Sequence, residues 1–164
     1  MNARRAAIAI AGFLGVAGCA AYDGRGLEPG TTTEADVRRT MGQPATICPL
    51  ADGGQNWVYP RGPAGLETFD ARLDKDGILR DIRNVLNDAG FALVQTGKSN
   101  KKDVLCLFGP PYLETYYKVR RERVWEYRFE DAWRYPSRYY VLFNDDGIVT
   151  GTMQIREDYG NGRR

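Results

Sequence analysis

Few side chains in this sequence are spaced to do chemistry. Histidine is absent, which removes Ser-His-Asp and Cys-His triads, HExxH zinc sites and any imidazole proton shuttle. The three cysteines, Cys19, Cys48 and Cys106, are too few for a zinc site built from Cys and His. Asp74, Asp76 and the Asp145-Asp146 pair offer carboxylates for calcium or for acid-base work. The EF-hand spacing and its terminal Glu are missing, and both groups coincide with an Asp-Gly turn, where Asp is a turn former. Neither metal nor cofactor is therefore expected, and no catalytic residue. Lys118, Arg120, Arg121 and Arg123 crowd one link. They can meet anionic lipid headgroups or stand solvated at a hairpin tip.

Cys48 and Cys106 can form a disulfide in an oxidising compartment or remain two separate buried thiols. Cys106 falls on an expected helix and Cys48 after another, so a bridge would tie the two halves together. A thiol nucleophile has no histidine to activate it.

Cys19 carries a different chemistry. Arg4 and Arg5 precede an apolar run from Ala6 to Val16, about half the ~20 residues of a membrane-spanning helix and the length of a signal-peptide core. Val16-Ala17-Gly18-Cys19 then resembles the bacterial lipobox, in which the cysteine thiol is acylated and the chain cut before it. Ala20 follows, where an aspartate would favour the inner membrane, so the resemblance implies the outer membrane. Residues 1–18 read as a lipoprotein signal peptide and 19–30 as lipidated cysteine and tether. The chain carries a formal charge of +2; loss of Arg4 and Arg5 leaves 21 basic against 21 acidic side chains. No basic surface points to nucleic acid. At 164 residues, 43% hydrophobic and 27% charged, the chain has the composition of a folded globular protein.

An internal repeat organises the rest. Gly30, Val37, Gly42 and Pro44 recur as Gly97, Val104, Gly109 and Pro111. Trp57 and Tyr59 recur as Trp125 and Tyr127, and Asp76-Gly77-Ile78 as Asp146-Gly147-Ile148. Each copy opens on an N-cap, Thr33 or Asn100, with Asp36 or Asp103 three positions on. Helices are expected over 34–41 and 101–108, stopped by glycine and kept from resuming by proline. Strands at Trp-x-Tyr, 68–74 and 138–144, then 78–85 and 148–155, follow, turning at Asp-Gly. A further helix is expected over 88–95. The fold class is α+β. Two tandem units (31–87 and 88–157) each set a short helical segment on a three-stranded or slightly larger antiparallel meander, before a polar tail (158–164). The copies can join edge to edge into one sheet.

This pattern resembles the SmpA/OmlA (BamE-like) family of outer-membrane lipoproteins. Thr33, Val37, Met41, Gly42, Pro44, Trp57 and Tyr59 match in copy one, and Asn100, Val104, Phe108, Gly109, Pro111, Trp125 and Tyr127 in copy two. Gly30 and Gly97 stand seven residues before the valine rather than six, and the family has one copy, not two. The resemblance implies a non-catalytic, periplasm-facing lipoprotein that stabilises an envelope complex such as the β-barrel assembly machinery. The duplicated architecture is also similar to β-lactamase inhibitory proteins, which implies the alternative of a periplasmic binding module or enzyme inhibitor. Aromatics and arginines dominate binding hot spots. Arg120, Arg121, Arg123, Trp133 and Tyr135 are therefore the expected contacts to partner or lipid, with copy two recognising and copy one scaffolding.

Overall fold

A computed structural model describes residues 23–62 and 65–157. Cys19, the expected signal peptide (1–18) and the expected tail (158–164) lie outside the described residues.

Each unit begins with a capped helix. In α1 (Glu34–Met41), Thr33 Oγ1 accepts the Asp36 amide while Asp36 returns a bond to the Thr33 amide. In the equivalent helix, α3 (Lys101–Phe108), Asn100 and Asp103 do the same. These reciprocal bonds satisfy amides that have no intrahelical partner. Both helices have the bounds that their caps and stop glycines predict. Four strands follow each: β1 (Thr46–Pro49), β2 (Gln55–Pro60), β3 (Thr68–Leu73) and β4 (Leu79–Asn84), then β5 (Leu113–Tyr117), β6 (Glu122–Glu130), β7 (Pro136–Phe143) and β8 (Val149–Arg156). Both sheets are antiparallel meanders in chain order.

The repeat holds down to single bonds. Gly30 N–H donates to Leu79 O and Gly97 N–H to Val149 O (2.8 and 2.7 Å). The Tyr59 hydroxyl donates to Gly42 O and that of Tyr127 to Gly109 O (3.4 and 3.0 Å). The last pairing of each sheet carries a register shift at the same place, Arg72/Leu73 and Leu142/Phe143.

The sheets do not merge into one. Odd-numbered residues of β2 and β3 (Trp57, Tyr59, Ala71, Leu73) meet Val37 and Met41 of α1 in one core. The second core gathers Phe91, Val104, Phe108, Trp125, Tyr127, Phe129, Tyr139, Val141 and Phe143, with Val85 and Leu86. The opposite face of the first sheet lies against α3, whose Cys106 carbonyl accepts a bond from Asn56 Nδ2 (3.1 Å). The layers therefore run α1, first sheet, α3, second sheet, and α3 keeps the sheets apart.

Three further expectations are corrected. The stretch expected as a tether, 19–30, reaches into the fold: Leu27 packs on the first core and Gly30 is bonded to β4. Val85 and Leu86 belong to the second core, ahead of the expected boundary at 88. The helix expected over 88–95 is one turn, α2 (Asp88–Phe91), capped by Asn87.

Candidate partner-binding surface

Strand alternation decides what the second sheet offers. Trp125, Tyr127, Phe129, Tyr139, Val141 and Phe143 point inward and are buried. Phe91 stacks on Tyr139 at 4.0 Å between centroids and meets Phe129 edge-on at 4.8 Å. The residues between them face away from the helices. Here Tyr117, Val124, Tyr140, Leu142, Met153 and Ile155 line an open depression of about 490 Å³, with Arg120 and Glu122 at its rim. Tyr117, Met153 and Ile155 are about half exposed.

The other end of this face is charged and internally matched. Glu126, only 5% exposed, pairs with Arg138 (2.9 Å), which also binds Glu157 (2.9 Å); Arg128 lies 3.5 Å from Glu157. The Glu157 hydrogen bond and the Glu126 charge raise the Arg138 pKa. This network takes up the charged end of the face and leaves the apolar strip beside it.

The residues expected as contacts fall into two groups. Arg120, Arg121 and Arg123 lie at the β5–β6 hairpin. Arg121 pairs with Asp145 (2.5 Å), which also accepts the Tyr116 hydroxyl (3.0 Å). Arg123 pairs with Glu114 and sits 5.3 Å from the Tyr116 ring. Trp125 Nε1 donates to the same Glu114 (2.7 Å). Of the three arginines, Arg120 alone lines the depression.

Trp133 and Tyr135 lie in the β6–β7 hairpin, which Asp131 organises. Asp131 accepts the Trp133 and Tyr135 amides (2.9 and 3.0 Å) and Arg156 Nε (2.8 Å). Partial burial pulls the other way, but these donors hold its carboxyl below the usual range. Arg156 covers the Tyr135 ring at 4.5 Å, while Trp133 is 76% exposed. Arg123 lies near the start of β6, and the seven residue steps from it to Glu130 put about 23 Å between the two groups, so they do not form one site. The apolar strip lies between them. Its signal was the inward placement of Trp125 and Tyr127, which turns Val124, and across the sheet Tyr140 and Leu142, outward.

Cys48 and Cys106 are joined by a disulfide, with Cα atoms 5.7 Å apart. It lies at an open cleft of about 850 Å³ between the first sheet and α3, also lined by Asn56, Asp70, Arg72, Arg83, Lys98 and Lys102. Asp70 is 4% exposed; burial raises its pKa although Arg83 binds it at 3.2 Å.

Of the turn carboxylates, Asp74 is held by its own turn, while Asp76 pairs with Lys75. Asp74 accepts the amides of Asp76 and Ile78 (both 2.9 Å). These bonds, the Ile78 one foremost, and Arg80 hold its carboxyl below the usual range. In copy two Asn144 takes that place (Ile148 N–H, 2.9 Å), and Asp145, at the position of Lys75, pairs with Arg121. Among the described residues, no group of three or more His, Cys, Asp or Glu side chains is placed to hold a metal ion, and no helix is long and apolar enough to cross a membrane. Comparison with protein-family models, with curated proteins and with solved structures found no match.

Proposed function

We propose that this chain is a non-catalytic lipoprotein, anchored through Cys19 to the periplasmic face of the outer membrane, that holds an envelope protein complex together through the open face of its second sheet. The observation that carries this reading is the apolar strip of Tyr117, Val124, Tyr140, Leu142, Met153 and Ile155. Outward aromatic and aliphatic side chains on a rigid sheet, with an arginine at the rim, are the makings of a protein contact. The Cys48–Cys106 bridge suits an oxidising compartment. The repeated pattern at Thr33/Asn100, Gly42/Gly109 and Trp57/Trp125 favours a BamE-like unit used twice, with the β-barrel assembly machinery as the first partner to examine.

The anchor adds a spatial limit. Asp23 is the first described residue, and four residue steps from Cys19 span at most about 14 Å. The first unit would then sit against the membrane and partners would be met close to it.

The test is a mild-detergent pull-down of the tagged chain from its own envelope, read by mass spectrometry beside Cys19→Ser and Leu142→Glu variants. Barrel-assembly proteins are expected with the parent and depleted with Leu142→Glu, and Cys19→Ser should leave the membrane fraction. Equal recovery with Leu142→Glu would overturn the surface, and a membrane-bound Cys19→Ser would overturn the anchor. Enrichment of a soluble periplasmic enzyme instead would favour the inhibitor-like reading, which the two tandem sheets also suit.

A further inference from the structure

The two units supply a comparison within one chain. β4 and β8 are equivalent strands, 70 residues apart at the shared Asp-Gly-Ile, and each is the last strand of its sheet. An open strand edge pairs readily with other strands unless charge, proline or a cover discourages it. β4 reads LRDIRN, with Arg80, Asp81 and Arg83 in six residues. At the same positions β8 has Thr150, Gly151 and Met153. The first strands are guarded too: β1 is four residues long and ends on Pro49, and β5 carries Glu114, paired with Arg123 of β6. Gly97 and Ser99 bond the edge of β8 at Val149; from 150 to 155 the strand has neither charge nor proline, and no strand lies beside it there among the described residues.

We infer that β8 is a self-pairing edge: two copies of this chain join antiparallel along residues 150–155, making one eight-stranded sheet from two second units. The strand is self-complementary in one register. Glu157 N–H donates to Pro136 O (2.9 Å), so Ile155 and Met153 turn their amides toward β7 and Thr152 and Gln154 turn theirs away. Pairing Thr152 of each copy with Gln154 of the other uses those free groups. It sets Met153 opposite Met153 at the two-fold axis and Ile155 opposite Gly151. A Cβ at Gly151 would meet nothing within 4 Å, so the space there is open to the opposing isoleucine. Met153 and Ile155 lie on the apolar strip, which becomes continuous across the axis. Arg156 of each copy ends six residues from its counterpart, about 20 Å away and beyond the ~10 Å screening length. With 21 basic and 21 acidic side chains after residue 18, the copies carry no net charge to repel one another. The two-fold contact is isologous and closes at the dimer. It requires neither the proposed anchor nor the proposed partner.

The test is sedimentation velocity of the full chain carrying Cys19→Ser across the micromolar range, with Met153→Arg and Met153→Glu each added. The parent is expected to double its mass with concentration. Each charge variant is expected to stay monomeric with unchanged circular dichroism, because like charges meet at the axis. An equimolar mixture of the two is expected to recover the dimer. A parent that stays monomeric overturns the proposal, also if β8 then captures a foreign extended peptide. A dimer that survives both substitutions overturns it as well.

Discussion

Asn56 and Cys106 join the two units by a hydrogen bond of 3.1 Å, and Cys48, the cross-strand partner of Asn56, is bridged covalently to the same Cys106. One residue of α3 thus holds two adjacent strands of the other unit, one by a side-chain amide and one by sulfur.

Breaking the covalent half should therefore weaken the whole molecule. The bridge spans 58 residues, and closing a loop of that length restricts the unfolded chain by about 4 kcal/mol. Cys48→Ser or a reductant is expected to lower stability by up to that amount. Urea unfolding with and without dithiothreitol measures it, and an unmoved midpoint would reject the role.

Gly42 and Gly109 stop equivalent helices, at φ +83° and +71°, but their surroundings differ. A Cβ at Gly42 would meet nothing within 4 Å, whereas at Gly109 it would lie 3.1 Å from Pro60 Cγ and 3.3 Å from Val58 Cγ1. Gly42→Ala is expected to cost the backbone strain alone, about 1–2 kcal/mol. Gly109→Ala should cost about 1–3 kcal/mol more, because β2 must give way. Equal losses in melting experiments on the two variants would refute this packing of α3.

Trp57 is fully buried and Trp125 nearly so, each in its own core. Alanine at either position is expected to destabilise by about 3–5 kcal/mol, as large core truncations do. Chemical denaturation of both variants tests the equivalence of the repeats.

Two aspartates should respond to acid with opposite signs. Hydrogen bonds from Thr33, with help from Arg39, hold Asp36 at about 2, against an ordinary 3.8. Its contribution is complete above 3.8 and lost as pH falls toward 2. Asp36→Asn should lower the melting temperature at neutral pH and match the parent near pH 2. Asp70 is raised by burial, so its charged form opposes folding at neutral pH and protonation relieves this. Asp70→Asn should leave the neutral-pH melting temperature unchanged or higher, since Arg83 is already half exposed and keeps its access to water. A marked fall on Asp70→Asn would mean that the ion pair outweighs the burial.

Both capped helices, the Trp-x-Tyr strands and the Asp-Gly turns were legible because each rests on local chemistry: a polar cap, a positive-φ glycine, an alternating pattern. β1 and β5 were not. TICP is four residues long and ends on proline, and LETYY is exposed on both faces, so neither shows an alternation. Separate sheets were also invisible, because placing α3 between them depends on contacts some fifty residues apart, such as Asn56 with Cys106. Aromatic density drew attention to the second unit. It could not show that most of β6 divides Arg120, Arg121 and Arg123 from Trp133 and Tyr135, or that Asp145 and Glu114 occupy two of those arginines.

The central position of α3 also bears on the order in which the molecule can be completed. A chain emerges N-terminus first, and domains generally fold as they appear. The first sheet can close over α1 once residue 84 has emerged, but Asn56, Val58 and Cys48 wait for a helix that ends at Phe108. Until then one flank of the nascent unit is bare and Cys48 is an unpaired thiol, open to attack or to a wrong partner. The interval between those two points in emergence is when both that flank and that thiol stand without their partners in α3.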